Sequence, residues 1–373
     1  METLVLYGAS SIEREHAVKR MCEIGEALGE GERSFAALST LRGLYFTRGE
    51  SARGLELATR CLDRRDEVED QRLLVDALYN SGTLATACGE IRAAVPHLEQ
   101  GLAHARKMNS RSLQFGIYHV GLVASSLAQT LQLLGRADEA FELAAEAIRY
   151  TRDSRNIFSL GAVLTVAGGQ FCLDRHQPDL ARVHCEEAIC LCEENGLAEW
   201  VAWGRFIRGW ALFELGDTAE GLAGMDAGLG VFERLGGVPR LPYLASIRSA
   251  AISRSGSADS SLTVLNDCLE HIERTGEKRD LADMLRLKGE LLLRNGSSVD
   301  GESCLRAAIQ IARLQEAKWW ELRATLSLAR LLRDTNRCEE ARTRLGEIYN
   351  WFTQGLELPD LKVAKALLDE LRT

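Results

Sequence analysis

Proline is scarce in this chain, with five residues in 373. No proline-rich or serine/glycine-rich tract interrupts it, so no linker marks a domain boundary. A surplus of positive charge is missing as well, since the formal net charge is −9. Nucleic-acid affinity rests mainly on Lys and Arg neutralising phosphates, so direct nucleic-acid binding is not expected. No apolar run is read as approaching the roughly 18 to 20 residues of a membrane span. The opening METLVLYGAS lacks the basic start and long apolar stretch of a secretion signal. These absences lead to the expectation of a cytoplasmic chain with no membrane partner.

Catalytic signatures are lacking too. No GxxxxGK followed by Ser or Thr occurs, and the nearest approaches, Gly168-Gly169 and Thr275-Gly276-Glu277-Lys278, have the wrong spacing to cradle a phosphate. Neither GxSxG nor HExxH is present. The histidines are scattered, and His97 and His104, seven apart on one helix face, have no third ligand at helical spacing. Ten cysteines form no CxxC pair. Within the suggestive cluster His184, Cys185, Cys190 and Cys192, the last two are two residues apart and point to nearly opposite sides of a helix. Cys61, Cys185 and Cys268 read as small core hydrophobes. Enzyme activity, a cofactor and a metal are therefore not expected.

What the chain has instead is a repeat. Small residues recur at Gly54, Ala94, Ala140, Ala181, Gly221, Ser261, Gly301 and Ala341, at intervals of 40, 46, 41, 40, 40, 40 and 40 residues. Twelve residues before most of them stands a second small residue, as in Gly82/Ala94, Ala128/Ala140, Gly209/Gly221 and Gly289/Gly301. The first unit breaks the pairing, with Arg42 at the expected place and Gly43 beside it. Two spaced small residues per unit mark two helices that cross too closely for larger side chains. The fold class read from this is all-α, a helix-pair solenoid coiled into a right-handed superhelix of about eight units.

The pairs are expected over 34–64, 69–107, 112–153, 156–195, 197–236, 241–275, 279–316 and 317–353. Glycines such as Gly49, Gly89, Gly135 and Gly216 end the first helix of a unit, and Asp217 or Ser297 caps the second. Residues 1–33 form an N-terminal segment with a partial-unit helix over 12–29, whose apolar side is read as Ile12, Met21, Ile24 and Leu28. That half-unit suggests a missing upstream part. Residues 354–373 hold a capping helix that begins after Pro359 and Asp360 and suggests a true C-terminus.

The unit resembles the tetratricopeptide (TPR) repeat, with a small residue in each helix and a large apolar one four further on. The segments RGWALFELGDTAEG (208–221), RLKGELLLRNG (286–296), KWWELRATLSLARLLRD (318–334) and YNWFTQGLELPDLKVAKALLDELRT (349–373) look closer still to one group. They resemble the C-terminal TPR region of bacterial adenylate/guanylate cyclase–ATPase regulators. Neither the phosphate loop nor a cyclase domain is present here, so those activities do not transfer. The resemblance implies a sensing or interaction module in bacterial signalling, with an ATPase or cyclase module among its possible partners.

In such arrays the first helix of each unit lines a concave groove. Projected onto the chain, the groove takes Tyr79 and Asn80 from unit two, Gln129 and Gln132 from unit three, and Trp203, Phe206 and Trp210 from unit five. Tyr243 follows from unit six, Arg286 and Arg294 from unit seven, and Arg323 and Arg330 from unit eight. An aromatic centre with a basic C-terminal arm suits a protein or peptide partner, because aromatic and arginine side chains anchor binding energy. Trp203 and Trp210, one heptad apart, also fit interhelical core, and the arginines also fit pairing with nearby glutamates. Of the adjacent Trp319 and Trp320, at most one is expected to be buried, and Trp351 is expected to pack the last unit. The leading function is a non-catalytic scaffold or regulatory module. The alternatives are a small-ligand sensor and a fragment of a cyclase–ATPase regulator.

Overall fold

The computed structural model of the chain describes residues 12–27, 31–108, 119–234, 239–256 and 260–372. Among the described residues there are eighteen helices and no strand, and the chain is a TPR-like helical solenoid. Helix α1 (Ile12–Ala27) precedes eight antiparallel pairs. These are α2 (Gly31–Thr47) with α3 (Ser51–Asp63), α4 (Gln71–Ala87) with α5 (Ile91–Lys107), and α6 (His119–Leu133) with α7 (Ala137–Ser154). Then come α8 (Ile157–Asp174) with α9 (Pro178–Glu194), α10 (Ala198–Glu214) with α11 (Thr218–Arg234), and α12 (Leu241–Arg254) with α13 (Ser261–Thr275). The array ends with α14 (Leu281–Arg294) and α15 (Ser298–Leu314), α16 (Lys318–Asp334) and α17 (Cys338–Trp351), and the single helix α18 (Pro359–Glu370).

The small-residue step explains the crossings. A Cβ on Gly209 would sit 2.6 Å from the Gly221 carbonyl oxygen, and one on Gly221 would sit 2.8 Å from the Gly209 oxygen, so α10 and α11 touch backbone to backbone. In unit six the same two positions are serines, and Ser261 Oγ donates to the Ser249 carbonyl at 3.0 Å. Unit one has no such approach. There Arg42 is buried and donates to Ser39 and to Asp76 of α4, so a satisfied guanidinium fills the space that elsewhere is closed by small residues.

Seven of the eight first helices end in one repeated geometry. The amides of Glu50, Glu90, Arg136, Gln177, Asp217, Ser297 and Arg337 donate back five residues, to Tyr45, Ala85, Leu131, Cys172, Leu212, Leu292 and Leu332. The residue just before each amide takes positive φ. It is glycine in most units, but His176 (φ 55°) in unit four and Asn336 (φ 60°) in unit eight. Asp217 caps α11 through the Glu220 amide at 3.2 Å, whereas the expected Ser297 cap makes no side-chain bond.

Three further expectations are corrected and a fourth is extended. On α1, Val18 and Cys22 face inward while Met21 and Ile24 are exposed. Glu15 sets that rotation by accepting from Tyr45 Oη (2.9 Å) and Arg48 Nη1 (2.5 Å) of α2. The Ile12 and Leu28 side chains lie outside the described residues, as do residues 1–11. Next, α8 is an 18-residue helix long and apolar enough to cross a membrane. Most of it is buried inside the array, so it serves as a core helix between α6, α7 and α9. Trp319 and Trp320 are both fully buried. Finally, Trp351 packs the last unit as expected, beneath Lys318 and against Phe352, but it is half exposed and also rests on unit three, where a Cβ on Gly135 would meet its ring at 2.5 Å.

The burial of both tryptophans and the position of Trp351 share a cause: the superhelix stacks on itself. The turn of unit one meets the junction after unit six, where Gly276 lies against Ala52. The turn of unit two meets the junction after unit seven, with Arg92 on Glu316 and Gln315 beside Gly89, and the end of α4 meets the junction after unit six, where the Arg279 amide donates to the Ala87 carbonyl at 2.9 Å. The turn of unit three meets the segment after unit eight, where Gly355 N donates to Asp138 at 3.1 Å. Units five apart are thus neighbours, and α16 is covered on both sides.

Candidate functional site

The concave side of units four to eight encloses a cavity of about 350 Å³. Its wall comes from the end of α8, then α10, α12, α14 and α16, and is completed by Pro359, Asp360 and Val363 of α18. The small-residue crossings hold successive first helices side by side, so their inward residues forty apart fall into one continuous surface.

Six of the twelve groove residues expected from sequence line this cavity: Trp210, Tyr243, Arg286, Arg294, Arg323 and Arg330. The other six are used elsewhere. Trp203 and Phe206 are buried, with Trp203 packed on Phe232 of α11 at a centroid distance of 5.0 Å, so they are interhelical core and their groove placement is corrected. Asn80 turns back onto Asp76 in its own helix (2.7 and 2.9 Å). Gln129 Nε2 donates to the Val166 carbonyl, within the π-helical stretch Leu164–Gln170 of α8, at 3.1 Å. Gln132 is fully buried and accepts from Arg175 at 2.5 Å, and Tyr79 is half buried against the main core. Gln129 and Gln132 thus join neighbouring helices, while Asn80 is engaged within its own helix.

Beneath the cavity lies a buried ionic network. Asp174, the last residue of α8, accepts from Arg240 (2.8 Å) and Arg279 (2.5 Å), and Asp280 accepts from the same two arginines. Arg323 Nη2 donates to the Asp174 carbonyl (3.0 Å), and its Nε to Asp360 of the capping helix (2.7 Å). Burial pushes the Asp174 carboxyl up, but the field of Arg240 and Arg279 outweighs it and holds the group below the usual carboxylate range. The same balance, with Arg286 and Arg323 as the cations, keeps Asp283 ionised while it accepts from Tyr243 Oη at 3.0 Å.

The cavity wall itself is charged but largely self-paired. Arg254 holds Glu214 (2.5 Å), Arg286 holds Asp283 (2.6 Å) and Glu290 (2.8 Å), and Arg323 holds Asp360. Arg294 and Arg330 have no ion-pair or hydrogen-bond partner among the described residues, and both are exposed. His176 crosses Trp210 edge to face at 5.7 Å, and burial, then Arg323, lowers its pKa, so a neutral imidazole stands at the wall. The arrangement offers apolar contact, paired charge and two free guanidinium groups.

Sequence reasoning missed Glu214, Arg254, Glu290, Asp360 and His176 as wall residues. A readable signal existed for two of them. The last residues of α8, α10, α12, α14 and α16 are Asp174, Glu214, Arg254, Arg294 and Asp334, forty apart, which is a charge ladder on the concave edge.

No protein-family model and no curated protein matches the sequence. Among solved structures, the solenoid is similar to a Rap protein complexed with Competence and Sporulation Factor. The two are 14% identical with a TM-score of 0.59, over 84% of this chain and 88% of that one. It is also similar to NprR in complex with its cognate peptide NprX, at 12% identity and a TM-score of 0.51, over 82% of this chain and 84% of that one. At these identities the likeness is one of fold.

Proposed function

We propose that this chain is a non-catalytic regulatory module that takes a short peptide segment of a partner into the concave cavity of units four to eight. The observation that carries the reading is the cavity wall, to which five consecutive first helices and the capping helix all contribute. A surface assembled from five units suits an extended segment that touches each in turn. The NprR structure, with its cognate peptide, is a neighbour of the same fold and supports the reading by analogy. The setting implied by the C-terminal resemblance is bacterial signalling, with an ATPase or cyclase module as the protein that presents the segment. A small-ligand sensor is the second reading, favoured by the volume of about 350 Å³, which lies in the range of metabolite pockets.

The test is affinity selection of a random hexapeptide pool by the full chain, read by mass spectrometry. A parallel selection uses Ala250→Trp, which places an indole in the cavity. Peptides retained by the parent and lost by the variant support the reading. Retention by neither chain, or equally by both, overturns it.

A further inference from the structure

We infer that the cavity selects peptides bearing a carboxylate next to an apolar side chain, with Arg294 and Arg330 receiving the carboxylate. This rests on the peptide-binding reading above and specifies its ligand.

Charge accounting along the repeat leads there. Five arginines line the cavity against four carboxylates, on a chain whose overall charge is −9. At the concave edge the last residue of each first helix stands beside its counterpart one unit away. Arg254 therefore finds Glu214 and closes a pair at 2.5 Å. Arg294, at the next step, faces Arg254, which is already engaged, and on its other side Asp334, which accepts from Arg333 at 2.9 Å. The counterpart of Arg330 one unit back is Glu290, and its Oε1 already accepts from Arg286 (2.8 Å) and Ser327 (2.6 Å). The two guanidinium groups are thus left over by the register of the repeat, on adjacent helices and on one cavity.

A guanidinium fork matches a carboxylate in geometry, and the bond is charge-assisted on both sides. A segment without a carboxylate gains nothing from these groups, and a basic side chain beside them is repelled. The remaining wall near them, Ile247, Leu287, Leu291 and the half-exposed Val363, is apolar and takes the neighbouring side chain. The carboxylate has two sources, an Asp or Glu side chain or the C-terminus of the bound segment.

The experiment is the hexapeptide selection run in two arms, with free-acid and with amidated C-termini, on the parent chain and on Arg294→Glu/Arg330→Glu. Both positions are exposed, and an unchanged circular dichroism spectrum and melting temperature certify the fold of the variant. The expected result is that parent-bound peptides are enriched in acidic groups, and that the double variant loses them by about tenfold or more in affinity. Enrichment confined to the free-acid arm assigns the C-terminal carboxylate, and enrichment in both arms assigns the side chain. Capture that is equal in the two arms and shows no enrichment in Asp or Glu, or that is the same in the double variant, overturns the inference while leaving peptide binding intact. Capture of no peptide overturns the peptide reading, and the inference with it.

Discussion

Arg240 reaches back across 66 residues to place its Nη2 at 2.8 Å from Oδ1 of Asp174, and both side chains are buried. The pair joins the end of α8 to the start of α12, two units on, and Arg279 adds unit seven to the same carboxylate at 2.5 Å. Helix-pair arrays are held mainly by nearest-neighbour packing. This ion cluster adds a contact that skips units and fixes the curvature behind the cavity.

Removing the carboxylate leaves two buried guanidinium groups short of a counter-charge. Asp174→Asn is expected to lower stability by about 3–5 kcal/mol, read as the midpoint of urea unfolding followed by circular dichroism. The pH dependence has a definite sign. Because the folded carboxyl titrates below its unfolded value, its contribution is present above the unfolded value near pH 4 and is lost as pH falls through the lower folded one. An unfolding midpoint for Asp174→Asn within experimental error of the parent at pH 7 would refute the structural role.

The junction after unit six, on which the turn of unit one rests, contains a second buried acid, Glu277. One of its oxygens accepts from the Arg240 amide at 2.6 Å and the other has no partner. Burial pushes its pKa up to about 7, with Asp280 adding repulsion and Arg240 and Arg279 opposing it. A folded pKa raised above the unfolded one means that stability falls as pH rises from about 4.5 to about 7 and stays reduced above that. Glu277→Gln keeps the acceptor for Arg240 and removes the ionisation. It is expected to leave stability at pH 5 unchanged and to raise it at pH 8, on the order of 2–3 kcal/mol. Thermal melts across pH 5–8 check this, and parallel curves for parent and variant would exclude it.

The helix pairs were legible in the sequence because a close crossing is a local requirement: Gly209 and Gly221 touch, and no other residue type fits both places. The stacking of units five apart was not legible. It depends on the small rotation between units summed over the array, which no local spacing records. That is why Trp319 and Trp320 both being buried, on a helix that also contacts α6 of unit three, contradicted a reading based on a helix with one covered side. The groove residues divided for a related reason. Gln129 and Gln132 lie at concave positions of unit three, but there α6 and α8 lie close enough for side chains to bond across, as Gln129 does to Val166. Arg294 remained free because its neighbours forty residues away carry the wrong charge or are engaged.

Two glycines on first helices separate crossing from composition. At Gly209 an added Cβ would lie 2.6 Å from both the Gly221 oxygen and the Met225 nitrogen, which are backbone atoms and cannot turn aside. Gly209→Ala is expected to force α10 and α11 apart and to cost about 1–3 kcal/mol or more. At Gly43 an added Cβ meets nothing within 4 Å, in the middle of α2. Gly43→Ala is expected to be neutral or to stabilise by up to about 1 kcal/mol through helix propensity. Differential scanning calorimetry of the two variants tests the contrast, and equal melting temperatures would contradict it.

Trp203 and Trp210, seven residues apart on α10, are expected to part company in function. Trp203 is buried against Phe232, whereas Trp210 lies under His176 with one edge on the cavity. Trp203→Ala opens a void between α10 and α11 and is expected to destabilise by about 3–5 kcal/mol, with peptide capture per folded molecule unchanged. Trp210→Phe keeps an aromatic ring beneath His176 while shortening the cavity wall. It is expected to alter peptide affinity with a melting temperature close to that of the parent. Measuring both quantities for both variants separates core from site. The assignment fails if Trp203→Ala changes affinity without loss of stability, or if Trp210→Phe leaves affinity untouched.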